Sequence, residues 1–206
     1  MNRKIIKNSN CILRKILNSN NNLDILKDFI ESFIKIEIKE ISINETPIID
    51  NKESKKYGIV DVRIKTESEE ELNVGIQIID GDYIQNKMFL YYAKIHSNQV
   101  LYEDNRKIAK TITINILDMR YFSTINYHKV IKIKTNIMND SILETMEMHV
   151  IELPKFNIYS DEMTNKELWT GYLNGNDVFI NKAKKDNKQI KKLDKLLENY
   201  WKEEQI

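Results

Sequence analysis

Two short stretches hold the side chains best placed to do chemistry. GIVDVRI, residues 58–64, sets one carboxylate, Asp61, among apolar neighbours, with Arg63 two positions further on. NVGIQIID, residues 73–80, carries Gln77 two positions after Gly75. Both alternate as strands do, and the Glu-rich stretch between them predicts the tip of a hairpin. Side chains two apart on a strand point to one face, so position 75 and Gln77 share a face. Asp61 could meet them there from the neighbouring strand. A carboxylate in that setting suits either a ligand for a hard divalent cation or an ion pair with Arg63. A glutamine there suits either catalysis or a buried amide satisfied by backbone groups.

Other chemistries find little support. His96, His128 and His149 lack metal-ligand spacing and Cys11 stands alone, so a structural zinc is not expected. No glycine-rich phosphate loop occurs, which argues against a nucleotide cofactor.

The elements that must position these residues follow from periodicity. Residues 9–18 and 22–34 predict helices, the second burying Leu23, Leu26, Phe29, Ile30, Phe33 and Ile34. A strand over 36–43, a polar loop over 45–58 and the hairpin (59–65 and 73–79) come next. Asp82 is expected to cap a helix reaching about residue 101, with Ile84, Met88, Tyr91, Tyr92, Ile95 and Val100 inward. Strands are expected over 111–119, 128–135 and 144–153, the last two as a pair, then helices in KELWTGYL and KQIKKLDKLLENYW. The order implies a single α/β domain over 1–206, a mixed sheet with helices on both faces. It ends in a basic helix over about 186–203. Seven Lys and two Asp between 182 and 195 leave +5 there, a solvated face or one that follows a phosphate backbone.

Composition sets the outer limits. The 206 residues are 41% hydrophobic and 31% charged, enough for one sizeable core. A net charge of +1 neither demands nor excludes nucleic acid. MNRKIIKNSNCILRKIL has no apolar run or small-residue cleavage site, and no stretch nears the roughly 20 apolar residues of a bilayer span. A cytoplasmic protein without membrane contact is expected.

Taken in order, GIVDVRI, NVGIQ, KMFLYYAKIHSNQVLYE, TITINILDMRYF and HVIELPKF resemble the PD-(D/E)XK nuclease family transposases, relatives of the recombination-promoting nucleases. The resemblance runs from about residue 7 to 156. It implies the restriction-endonuclease-like α/β sheet of that family and Mg²⁺-dependent phosphodiester hydrolysis. In such sites two acids on adjacent strands hold the cation, and a Lys or Gln after the second orients water. Asp61 matches the first acid as metal ligand and catalytic residue, and Gln77 matches the water-orienting position. Gly75 stands where the second acid belongs. Near the start, Asn10 replaces another family acid, while Arg14 keeps the positive charge. Lys87, Tyr91, Tyr92, Gln99 and Tyr102 match a basic-aromatic helix, and Glu152 and Lys155 match a late strand end. Lys87, Tyr91, Gln99 and Arg63 are the expected contacts to nucleic acid or a partner.

The resemblance therefore implies a transposase-derived chain with a degraded metal site. Such a chain would bind nucleic acid or a nucleoprotein without efficient cleavage, as a phage or mobile-element inhibitor of nucleic-acid-targeting defence could. The alternative is an active Mg²⁺-dependent endonuclease using a displaced acid: Asp80, Asp82, Glu71, Asp24, Asp28 or Glu31. A purely structural assembly protein is a third option. Bland roles stand beside these: packing for Tyr91 and Tyr92, a bridge from core to surface for Gln99, a structural ion pair for Glu152 and Lys155.

Overall fold

A computed structural model describes residues 13, 16–43, 60–79, 83–102, 109–132 and 146–203. Outside them fall most of the helix expected over 9–18, the loop at 45–58, Asn10, Arg14, Asp80, Asp82 and the end of the strand expected to reach 135.

Six strands form one mixed sheet: β1 (Ile38–Ile43), β2 (Val60–Thr66), β3 (Glu71–Ile79), β4 (Lys110–Leu117), β5 (His128–Lys132) and β6 (Met146–Glu152), in the spatial order β1-β2-β3-β4-β6-β5. The β1–β2, β2–β3 and β5–β6 pairs are antiparallel, while β3–β4 and β4–β6 are parallel. The helices described in full are α1 (Leu23–Ile34), α2 (Ile84–Tyr102), α3 (Asn165–Asn174), α4 (Asp177–Asp186) and α5 (Lys188–Glu203). The helix α4 was not expected: its inward stripe is only Phe179, Ile180 and Ala183, and Val178 faces out.

The two faces of the sheet differ in chemistry. One is apolar, with Val60, Val62, Ile64, Leu72, Val74, Ile76, Ile78, Ile112, Ile114 and Ile116 in a single buried cluster. Phe29, Ile30 and Phe33 of α1, with Trp169, Tyr172, Ile190 and Leu193 of the C-terminal helices, complete that cluster. Burial on this scale is the main stabilising term of the fold. The period-2 rule sends the alternate residues to the opposite face. There lie Asp61, Arg63, Asn73, Gly75, Gln77, Thr111, Thr113 and Asn115, and α2 packs over the β3 and β4 part of this face. Ile79, Leu117 and Val150 join Ile84 and Met88 of α2 at one end of that face; Met146 and Met148 join Tyr92 at the other. The polar residues thus form a central strip beneath a helix.

Candidate functional site

The hairpin register brings the expected residues together. Asp61 is the direct cross-strand partner of Gly75, and Arg63 is opposite Asn73. Gln77 follows on the same face, paired with Asn115 of β4. Asp61 and Gln77 are both buried, 8% and 3% exposed.

The space in front of Gly75 belongs to α2. A β-carbon at position 75 would overlap the Ile95 δ-methyl and lie 2.8 Å from the Tyr91 hydroxyl oxygen and 2.9 Å from Tyr91 Cε1. Gly75 does not have a positive φ, so what it supplies is room for the helix. Tyr91 is 2% exposed and donates its hydroxyl to the Val60 carbonyl at 3.2 Å, which fixes the ring over the start of β2. Ile95 is 1% exposed.

Gln77 is satisfied by a side chain, where sequence favoured backbone groups. Its amide donates to Asn115 Oδ1 at 2.5 Å, and Asn115 donates in turn to Thr113 Oγ1 and the His149 carbonyl, both at 3.1 Å. Sequence reasoning passed over Asn115, although an amide inside the apolar run TITINIL was a readable signal. Further along, Gln99 spends both ends of its amide on the segment entering β4. It accepts from Ala109 N at 2.8 Å and donates to the Ala109 carbonyl at 3.1 Å and Thr111 Oγ1 at 3.0 Å. His96 bonds Thr111 Oγ1 at 3.0 Å and stacks on Tyr92; burial lowers its pKa.

Among the expected nucleic-acid contacts, Tyr91 is therefore interior, and Gln99 is half-buried with its amide engaged. Lys87 and Arg63 are half-buried. The outward side of α2 carries Phe89 and Leu90, with Tyr83 just before it, all exposed.

The substitute acids Asp24, Asp28 and Glu31 have other partners. Asp28 accepts from Asn165 at 3.2 Å, Trp169 Nε1 at 2.7 Å and Asn187 at 2.8 Å, tying α1 to the C-terminal helices. Asp24 pairs with Lys192 at 2.8 Å, and Glu31 accepts from the Ile38 amide at 2.8 Å. All three sit on α1, which covers the apolar face, away from Asp61. Glu71 is exposed at the start of β3. The acid Glu152, fully buried, holds Lys155 Nζ at 2.7 Å and accepts from Phe122 N at 3.1 Å and from Tyr121 N. It is a structural pair, pinning the loop between β4 and β5.

Mg²⁺ prefers near-octahedral oxygen ligation with one or two carboxylates. Among the described residues, no group of three or more His, Cys, Asp and Glu is placed to hold a metal ion. At position 75 the structure offers a methyl and a phenol ring edge.

A mixed sheet whose central hairpin carries a buried acid, flanked by helices, is the α/β architecture of PD-(D/E)XK nucleases. A family model for PD-(D/E)XK nuclease family transposases matches residues 11–206, and the chain belongs to that family. No curated protein and no solved structure matches it. Among the described residues, no helix is long and apolar enough to cross a membrane.

Proposed function

We propose that this transposase-family chain engages nucleic acid or a nucleoprotein without efficient cleavage, its ancestral metal site closed by α2. One observation carries the proposal: Tyr91 and Ile95 fill the volume that a second acid at position 75 would need. Asp61 alone does not fit Mg²⁺, so no hydrolytic step is assigned to it. Gln77, bonded to Asn115, serves as an interior amide. Nucleic acid as the partner is carried by family membership. Such a binder would suit a mobile element that blocks nucleic-acid-targeting defence.

Nicking of supercoiled plasmid in Mg²⁺ or Mn²⁺, run beside Asp61→Ala, tests the silent site. No Asp61-dependent nicking is expected; scission that disappears with Asp61→Ala would overturn the proposal. Labelled DNA and RNA titrated at stepped salt test binding. Affinity that falls steeply with salt is expected, and its absence would point to a protein partner.

A further inference from the structure

The lysines of α4 and α5 sort into two sets. Lys182, Lys184 and Lys192 pair with Asp186, Asp194 and Asp24. Lys188, Lys191, Lys195 and Lys202 are exposed, and their ammonium groups have no partner among the described residues. Steps of three, four and seven residues keep these four on one side of α5. The row runs about 21 Å along the helix axis. Among the described side chains of α5, the acids are engaged elsewhere. Asp194 is buried and accepts from the Tyr172 hydroxyl at 3.0 Å, while Glu198 is half-buried with a partner of its own. The opposite side of the helix belongs to the core: Ile190, Leu193 and Leu197 are buried, and Leu196, Tyr200 and Trp201 pack against the same cluster.

Like charges at this spacing act against the helix that carries them. A polyanion laid along the row supplies the negative charge that the chain itself does not. Duplex DNA carries one phosphate charge per about 1.7 Å of its axis, so a row of this length meets a phosphate for every lysine. Two other polyanions fit less well. Proteins hold a single strand by stacking its bases on aromatic rings as well as by charge, and Tyr200 and Trp201 are turned to the core. An anionic membrane takes a helix whose apolar side can enter it, and that side of α5 is already buried.

We propose that Lys188, Lys191, Lys195 and Lys202 form the surface by which this chain holds double-stranded DNA, contacting the phosphate backbone without reading bases. The inference rests on the nucleic-acid reading above, and membership of a transposase family favours DNA. It puts the contact on α5 in place of α2 and the hairpin. The helix α5 covers the apolar face of the sheet, whereas Asp61 and Gln77 lie on the other. DNA held along this row lies across the sheet from Asp61, so binding there brings no phosphodiester to the hairpin.

The test measures affinity of the full chain for a short labelled DNA duplex at stepped salt. The wild type should show a log–log slope of about −4, close to one unit per phosphate contacted. Lys188→Gln, Lys191→Gln and Lys195→Gln together should cut the slope by about 3 and weaken binding by roughly tenfold or more. Lys39→Gln, Lys65→Gln and Lys132→Gln remove the same charge from β1, β2 and β5 and should leave the slope as it was. An equal loss in both triple variants, or none in the first, overturns this surface and leaves nucleic-acid binding standing. No binding by the wild type overturns both. Tighter binding to a single strand, or to phosphatidylserine vesicles, than to the duplex overturns the choice of partner. Lysine acetylation of the wild type, with and without duplex, repeats the test without a variant: Lys188, Lys191, Lys195 and Lys202 should be protected, and equal labelling in both samples would contradict the assignment.

Discussion

Asp61 and Gly75 face each other across the β2–β3 hairpin, and the side that Gly75 leaves open is closed by Tyr91 and Ile95. A residue that looks in sequence like a deleted ligand is, in the fold, a packing requirement. Gly75 and the helix above it are one packing feature.

Restoring the acid should therefore fail. Gly75→Ala is expected to cost about 1–3 kcal/mol through overpacking, and Gly75→Glu more. Ile95→Val removes the methyl that collides, so the Gly75→Ala, Ile95→Val pair should recover part of the loss. A double-mutant cycle by chemical denaturation measures the coupling. Additive losses would contradict the account.

Gln77→Leu separates an interior amide from a catalytic one. It strips Asn115 Oδ1 of its donor, and a loss of about 1–3 kcal/mol is expected. Nucleic-acid affinity at fixed salt should stay as it was. Weaker binding with unchanged stability would reverse that assignment.

Glu152→Gln leaves the buried Lys155 ammonium without its counter-charge. A loss of about 3–5 kcal/mol is expected. Hydrogen exchange should speed up at the Tyr121 and Phe122 amides, which Glu152 now binds.

His128 sets a pH window for stability. Its ordinary value is 6.5 and the fold holds it at about 4, so between those values the unfolded chain binds the extra proton. Stability should fall as pH drops from 6.5 towards 4, by about 1–2 kcal/mol after allowance for partial exposure. Denaturant midpoints at pH 7.5 and 5 measure it in phosphate-free buffer, and His128→Gln should flatten the difference.

The hairpin was legible because GIVDVRI and NVGIQII alternate cleanly, and alternation fixes which side chains share a face. The α1 stripe and the strand pair β5–β6 came from the same periodicity. What stayed hidden depends on which strands become neighbours. Parallel pairing of β3 with β4 sets Gln77 beside Asn115, residues 38 positions apart. The His128–His149 bond needs the β5–β6 register; only Glu-x-His at 147–149, one face of one strand, could be read beforehand. Tyr91 was read correctly as an inward residue of its helix. Its landing against Gly75 was not, because helix-to-sheet docking leaves no local pattern. The lysine-rich tail was read as either a solvated face or one that follows a phosphate backbone, and in the fold Lys182, Lys184 and Lys192 pair with Asp186, Asp194 and Asp24.

Mn²⁺ binding to the full chain, followed by electron paramagnetic resonance and compared with Asp61→Ala, tests the closed site most directly. The expected result is no saturable, stoichiometric binding that depends on Asp61. One tightly held Mn²⁺ per chain, lost in Asp61→Ala and accompanied by strand scission, would contradict it.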